Sequence, residues 1–144
     1  MNDLNDIQKI EYELLKFFTD LCERNNLKYY VSGGTCLGAV RHSGFIPWDD
    51  DVDIDMPRRD YDKLIKLFSD RKVNCSRYEV ENIFLENGED LITKLVDKSH
   101  KIKISYAKEE QSVRPWIDIM PIDGMPDSKI RFEIHWLHII LKVV

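Results

Sequence analysis

The sequence has little cysteine, and this limits the class of protein it encodes. Only three of the 144 residues are cysteines, and no two of them form a CxxC pair. An odd number of unpaired cysteines argues against a disulfide framework and against a structural zinc site, and it fits a reducing compartment. We therefore expect a fold that is stabilised by its hydrophobic core.

Long apolar runs and a surplus of basic residues are also missing. The longest mostly apolar stretch, 134–144, is too short and too interrupted to span a bilayer. The polar, acidic start Met1-Asn2-Asp3 is unlike a signal peptide. With 21 Lys and Arg against 26 Asp and Glu, the formal charge of −5 argues against nucleic acid as a partner. We expect a cytoplasmic protein. Peripheral attachment to the inner face of the membrane is the alternative location.

What the sequence does contain is enough apolar material for one domain over residues 1–144, since 43% of it is hydrophobic. Apolar periodicity predicts helices over 4–24, 35–42 and 57–70, and Asp127-Ser128 is expected to cap a final helix. The predicted strands are 28–31, 51–56, 78–84, 91–96, 101–106 and 116–120. This order predicts an α+β fold in which helices pack on a mixed β-sheet.

The most informative segment is acidic, because five of the seven residues from 49 to 55 are Asp. From Asp51 onward acidic and apolar residues alternate, so a strand here would carry three carboxylates on one face. Two like charges about 4 Å apart repel by roughly 4 kcal/mol at an effective dielectric constant of about 20. A cation or a bound proton relieves that repulsion. The oxygen ligands favour Mg²⁺ or Mn²⁺, ions that also bind substrate phosphate.

The acidic segment has two other interpretations. A solvated acidic turn is the plain alternative, although the apolar alternation argues against it. An EF-hand is excluded, because a loop counted from Asp51 has Met56 where glycine is required.

A glycine turn, Ser32-Gly33-Gly34-Thr35, joins the first predicted strand to the second predicted helix. Such a turn allows close approach of the backbone, and N–H groups at the start of a helix attract phosphate. A plain tight turn is the alternative. At the other end of that helix, Arg41 and His42 are candidates either for pairing with a phosphate or for complementing the helix dipole.

A third carboxylate, Asp118, lies between Ile117 and Ile119 in the last predicted strand, where it is costly unless it is paired or binds metal. Three carboxylates from two strands would suit phosphoryl transfer, with two on the metal and the third sharing it or acting as base toward a hydroxyl. Lys94 is a further candidate for phosphate contact, with an ordinary surface lysine as the alternative.

Four motifs carry a resemblance to a known family: SGGT (32–35), LGAVRH (37–42), GFIPWDDDVDI (44–54) and WIDIMPIDG (116–124). Together they resemble the LicD family over roughly residues 28 to 125. The resemblance implies a nucleotidyltransferase-like fold and transfer of phosphocholine, or a related phospho-alcohol, from a CDP-choline-like donor. The acceptor would be a hydroxyl of a glycan of the teichoic acid or lipopolysaccharide type.

The resemblance also implies roles for single residues. Asp51 and Asp53 match the paired metal ligands of the family, Asp118 matches its third carboxylate, and Gly33, Gly34 and Thr35 match its glycine turn. Transfer of a nucleotide from an NTP, and nucleotide binding without catalysis, stay open as alternatives.

The carboxyl end raises an expectation about assembly. LicD proteins are usually much longer, so we expect this chain to lack the C-terminal part that is usual in the family. A helix over 134–144 would be apolar nearly all round and must be buried by something. We expect a missing segment or self-association through that helix to cover it, with contact to a membrane surface as the alternative.

Overall fold

A computed structural model describes residues 4–73, 75–83, 85, 91–104, 111–125, 127–130 and 133–134. These residues form three principal helices, α1 (Asp6–Arg24), α2 (Gly33–His42) and α3 (Arg58–Ser69). The strands are β1 (Tyr30–Val31), β2 (Asp53–Pro57), β3 (Tyr78–Glu81), β4 (Thr93–Asp97), β5 (Ile102–Ile104), β6 (Gln111–Val113) and β7 (Trp116–Ile122). The predicted α+β fold with a mixed β-sheet is confirmed, and one strand, β6, was not predicted.

The main sheet has five strands in the order β1-β2-β7-β4-β3. It is mixed, because β2 and β7 run parallel while the other neighbouring pairs are antiparallel. The two remaining strands, β5 and β6, pair with each other in a separate sheet. Within the main sheet, β7 is the central strand although it comes last in the sequence.

One face of the sheet packs against α1 and α3, and this side holds the core. Burial alternates along β2 and β7, as expected for strands with one apolar and one polar face. The most deeply buried apolar side chains are Leu14, Phe18, Val52, Ile54, Met56, Leu64, Leu95, Ile117 and Ile119. The opposite face of β2 and β7 is therefore left for polar residues.

Several predicted boundaries need correction at the elements that carry polar residues. Strand β2 begins at Asp53, so Asp51 precedes the strand, although burial still alternates from Asp51 to Asp53. Pro57 ends this strand at the N-cap position of α3, and not in the first helical turn. Helix α2 begins at Gly33, two residues before the predicted start, so the glycines belong to the helix.

Other differences lie toward the carboxyl end. Strand β6 was not predicted, and the predicted strand over 101–106 is described only as far as Ile104. Residues 129–130 and 133–134 have helical backbone after Asp127-Ser128, while 135–144 lie outside the described residues. The predicted self-association through 134–144 therefore stays a prediction. Among the described residues, no helix combines the length and apolar character needed to cross a membrane.

Candidate functional site

Two of the predicted carboxylates meet on adjacent strands. Asp53 of β2 is paired in register with Asp118 of β7. Directly opposed residues of neighbouring strands project to the same face, about 4.8 Å apart along the hydrogen-bonding direction. Both residues are half-buried and alternate with core residues, so their side chains lie on the face turned away from the core. The Asp118 N–H also donates a 2.9 Å hydrogen bond to the carbonyl of Val52.

The amino end of α2 is bonded directly to the start of β2. The Ser32 N–H donates to the carbonyl of Asp53 at 3.1 Å, and the Asp53 N–H donates to the Thr35 hydroxyl oxygen at 2.9 Å. Gly33 has φ +49°, and a Cβ at this position would overlap the Asp53 carboxylate. Glycine is therefore required at position 33 both by backbone conformation and by the close approach of Asp53.

The second glycine of the turn faces another carboxylate. A Cβ on Gly34 would lie 2.5 Å from Oδ2 of Asp49. The sequence reasoning did not select Asp49, which precedes the alternating part of the acidic segment. The structure thus places carboxylates of Asp49 and Asp53 against the first residues of α2, where the positive end of the helix dipole favours negative charge.

The carboxylates of the acidic segment perturb one another. Desolvation, followed by the negative charges of Asp49 and Asp53, raises the pKa of Asp51 to about 6. Desolvation also raises the pKa of Asp53, with further contributions from Asp49 and Asp55. Both shifts have the sign expected of negative groups held close together without a counter-charge.

A divalent metal ion such as Mg²⁺ requires several oxygen ligands around one position. Nowhere in the described part of the chain are three His, Cys, Asp or Glu side chains already gathered around one metal position. The donor chemistry fits a hard cation, since Asp51, Asp53 and Asp118 offer only carboxylate oxygens and two of them are paired across strands. A cation at this place would reverse the upward pKa shifts of Asp51 and Asp53.

Lys94 extends the polar row across the sheet. It is paired in register with Asp118 on the side opposite to Asp53, so the order across three strands is Asp53, Asp118, Lys94. Its Nζ also lies 4.7 Å from the ring centroid of Trp116. The structure therefore places Lys94 next to Asp118 in the sheet with its ammonium over Trp116, and its role in phosphate contact stays a prediction.

Arg41 and His42 occupy the last turn of α2 and are exposed. From the helix rise they lie roughly 12 Å from the glycine turn. The His42 ring meets the exposed Trp48 ring edge-on, with centroids 6.3 Å apart. The described contacts do not bring these two residues to the carboxylates, and their role in phosphate binding stays a prediction.

Two residues of α1 that the sequence reasoning missed lie behind the acidic segment. Nε2 of Gln8 donates to the carbonyls of Asp49 at 2.8 Å and Ile46 at 3.2 Å. Glu11 is buried, and its Oε2 has no hydrogen-bond partner among the described residues. Burial, followed by the charges of Asp50, Asp51 and Asp49, raises the pKa of Glu11 to about 9. Glu11 is therefore protonated at neutral pH.

Comparison with known proteins identifies the family of the chain. The chain matches the family model described as "LicD/FKTN/FKRP, nucleotidyltransferase domain" over residues 26–139. The chain therefore belongs to the LicD family.

Individual relatives share different parts of the sequence. The lipopolysaccharide cholinephosphotransferase LicD of Haemophilus influenzae is 33% identical over 130 residues, which are 87% of this chain and 46% of that protein. The ribitol 5-phosphate transferase FKRP of human and mouse is 40% identical over 42 residues, 29% of this chain and 8% of FKRP. This chain thus spans about half the length of the Haemophilus protein.

Proposed function

We propose that this chain carries a nucleotidyltransferase-type catalytic domain that transfers a phospho-alcohol, such as phosphocholine, from a CDP-linked donor to a glycan hydroxyl. The observation that carries the proposal is the pairing of Asp53 with Asp118 beside the amino end of α2. The name of the Haemophilus relative, a lipopolysaccharide cholinephosphotransferase, supports this class of donor and acceptor.

The arrangement favours a metal-dependent reaction for an electrostatic reason. The N–H groups that begin α2 have no side-chain cap from Ser32, so they are suited to a donor phosphate. The same helix end already faces the carboxylates of Asp49 and Asp53. A diphosphate would be repelled from this place unless positive charge were added.

Asp51, Asp53 and Asp118 are the residues that would hold Mg²⁺ or Mn²⁺. When bound, such an ion neutralises charge on the diphosphate and on the leaving nucleotide. Gly33 and Gly34 let the phosphates approach the backbone, and Lys94 supplies a further positive charge at the row of carboxylates.

The proposed chemistry is a displacement at phosphorus. The acceptor hydroxyl oxygen forms a bond to the phosphorus on the alcohol side of the diphosphate, the bond from that phosphorus to the bridging oxygen breaks, and CMP leaves. Asp118 accepts the proton of the hydroxyl if it is not fully engaged as a ligand.

The cytoplasmic location predicted from the sequence stays a prediction.

The test is product analysis with a panel of donors. The chain is incubated with CDP-choline, CDP-ribitol, CDP-glycerol or an NTP, each with Mg²⁺ and a glycan acceptor, and products are followed by ³¹P NMR. Release of CMP together with a phosphodiester on the glycan supports the proposal. Release of pyrophosphate from an NTP would replace it with nucleotidyl transfer.

A thermal-shift series on the same panel separates binding from catalysis. A donor present at about 100 times its dissociation constant should add roughly 2.7 kcal/mol of stability. Stabilisation by a CDP-alcohol without turnover of any donor would indicate nucleotide binding alone and would contradict the proposed activity.

A further inference from the structure

The strongest feature outside the carboxylates is a tight turn at the start of the acidic segment. The Asp49 N–H donates a 3.0 Å hydrogen bond to the carbonyl of Ile46, which closes a four-residue turn over 46–49. Pro47 occupies its second position, where the fixed φ of proline favours a β-turn. Asp50 and Asp51 follow directly, so the geometry of this turn determines where the acidic segment begins.

Helix α1 holds both ends of that turn through one side chain. Nε2 of Gln8 donates to the carbonyl of Ile46, the first residue, and to the carbonyl of Asp49, the last. Oε1 of the same amide accepts the N–H of Asn5 in a capping box. Gln8 is 3% exposed. Its amide therefore makes three buried or partly buried hydrogen bonds and ties the amino end of α1 to the turn.

The next turn of α1 is also directed to this segment. Glu11 lies three residues after Gln8 on the same helix face and is likewise buried. After burial, the negative charges of Asp50, Asp51 and Asp49 raise its pKa, so Glu11 lies within electrostatic reach of the acidic segment. Neither residue lies on the exposed polar face of α1, where a merely solvated Gln or Glu would be expected.

We propose that Gln8 is a positioning residue: it fixes the turn over 46–49 and thereby holds the following carboxylates in the place where the proposed reaction needs them. The hydrogen bonds of Gln8 to this turn reach its backbone and not the carboxylate side chains. It acts through the backbone carbonyls of Ile46 and Asp49. The inference rests on the proposed transferase function for its catalytic part, while its structural part stands on the hydrogen bonds alone.

The structural part is tested by hydrogen–deuterium exchange on Gln8→Met, which keeps the length of the side chain and removes the amide. We expect the Asp49 amide to exchange roughly tenfold faster or more, because its turn loses two anchoring hydrogen bonds. The matched control is Asn25→Ala, which removes a 2.8 Å side-chain hydrogen bond to Leu21 at the other end of α1. That control should leave exchange at Asp49 unchanged.

The catalytic part is tested on the same variants, far below their unfolding temperatures. Gln8→Met should lower kcat roughly tenfold or more, because misplacement of reacting groups by about 1 Å can cost a hundredfold in rate. Asn25→Ala should keep kcat even where it lowers the unfolding temperature. If Gln8→Met does not fold, Gln8→Asn, which keeps the amide on a shorter stem, takes its place in both experiments.

The outcomes separate this inference from the proposed function. Unchanged exchange at Asp49 in the Gln8 variant, or equally raised exchange in the Asn25 control, would overturn the positioning role. A kcat that falls equally in both variants would reduce Gln8 to a general stabiliser of α1 and would also overturn it. If the wild-type chain transfers no donor, the proposed function fails, while the exchange experiment still decides whether Gln8 fixes the turn.

Discussion

Asp53 and Asp55 provide a comparison at the scale of single residues. Both are half-buried Asp side chains on the same face of β2, two positions apart. Asp53 is opposite Asp118 and against Gly33, whereas Asp55 is opposite Met120 and Tyr30. The two residues have the same side chain and lie on the same strand. Only Asp53 has a second carboxylate and the amino end of a helix beside it.

Asp53→Asn should therefore lower kcat roughly a hundredfold or more, with Asp55→Asn as the matched control that changes it little. The stability of the metal-free Asp53→Asn variant should hold or rise, because the raised pKa of Asp53 reports unfavourable charge there. Steady-state kinetics at saturating Mg²⁺ and urea unfolding in EDTA measure both effects. Near wild-type turnover in Asp53→Asn would remove Asp53 from the site.

Glu11 predicts a pH dependence of stability. The pKa of Glu11 is raised from its ordinary value of 4.5 to about 9 in the folded chain. Between pH 4.5 and 9, the folded state therefore holds a proton that the unfolded state has lost. The free energy of unfolding should then fall as pH rises from about 4.5 to 9, by at most about 1.4 kcal/mol per pH unit. Glu11→Gln should flatten this slope and be the more stable form at pH 8 and above. Urea unfolding across that range tests the sign, and an equally steep slope in Glu11→Gln would contradict the assignment.

At the scale of elements, the amino end of α2 should be sensitive to added side chains without loss of the fold. Gly34 lies within the helix, where alanine is favoured over glycine by roughly 0.5–1 kcal/mol. Gly34→Ala should therefore keep its stability, yet displace the Asp49 carboxylate and weaken donor binding. Gly44→Ala is the control, since a Cβ there meets nothing within 4 Å. Isothermal titration with a CDP-alcohol and circular dichroism separate the two effects, and global unfolding of Gly34→Ala would indicate a purely structural glycine.

The elements themselves were largely predictable, because their signals are local. The apolar periodicity of α1 and the alternation in β2 and β7 identified these elements from sequence. In α1 the apolar residues Ile7 and Ile10 follow the helical periodicity, yet the buried line runs through Gln8 and Glu11. Two polar residues on a line that continues through Leu14 and Phe18 are the signal that could have revealed them. Hydrogen bonds across about forty residues leave no local pattern, so their partners could not be predicted.

The carboxylates were predictable as residues but not as neighbours. Alternation with apolar side chains identified Asp53 and Asp118, and resemblance to a family gave them roles. Their register depends on β7 entering the sheet beside β2, a long-range pairing that no local feature of either strand specifies. Asp49 was missed because it lies before the alternating pattern, in a turn whose position is set by α1.

For the molecule as a whole, an ion network around the buried Asp97 connects α1 to the end of β4. Asp97 at the end of β4 is fully buried and accepts hydrogen bonds from Arg77, Ser99 and His100. Arg77 also donates to Glu13 of α1 at 2.6 Å. Burial alone would raise the pKa of Asp97, but these hydrogen bonds hold it well below the ordinary value of 3.8.

Asp97→Asn should cost roughly 1–3 kcal/mol of stability, because it removes the charged acceptor of the hydrogen bonds from Arg77, Ser99 and His100. Glu13→Gln, which removes only an exposed arm of the network, should cost less than about 1 kcal/mol. A carboxylate with a lowered pKa stabilises the fold above its unfolded pKa, and this contribution is lost as pH falls below about 3.8. Urea unfolding at pH 7 and at pH 3 measures both effects, and equal losses in the two variants would contradict this account.

The position of β7 has a consequence for how the chain folds while it is being synthesised. Asp53 leaves the ribosome long before Asp118, and β7 is the strand that joins β1-β2 to β4-β3. Until it is made, the edges of β2 and β4 lack their common neighbour, and unpaired edges invite aggregation. Asp53 and Asp118 therefore cannot pair on a nascent chain that ends before β7. Because this closing step joins distant segments, we expect it to be the slow one.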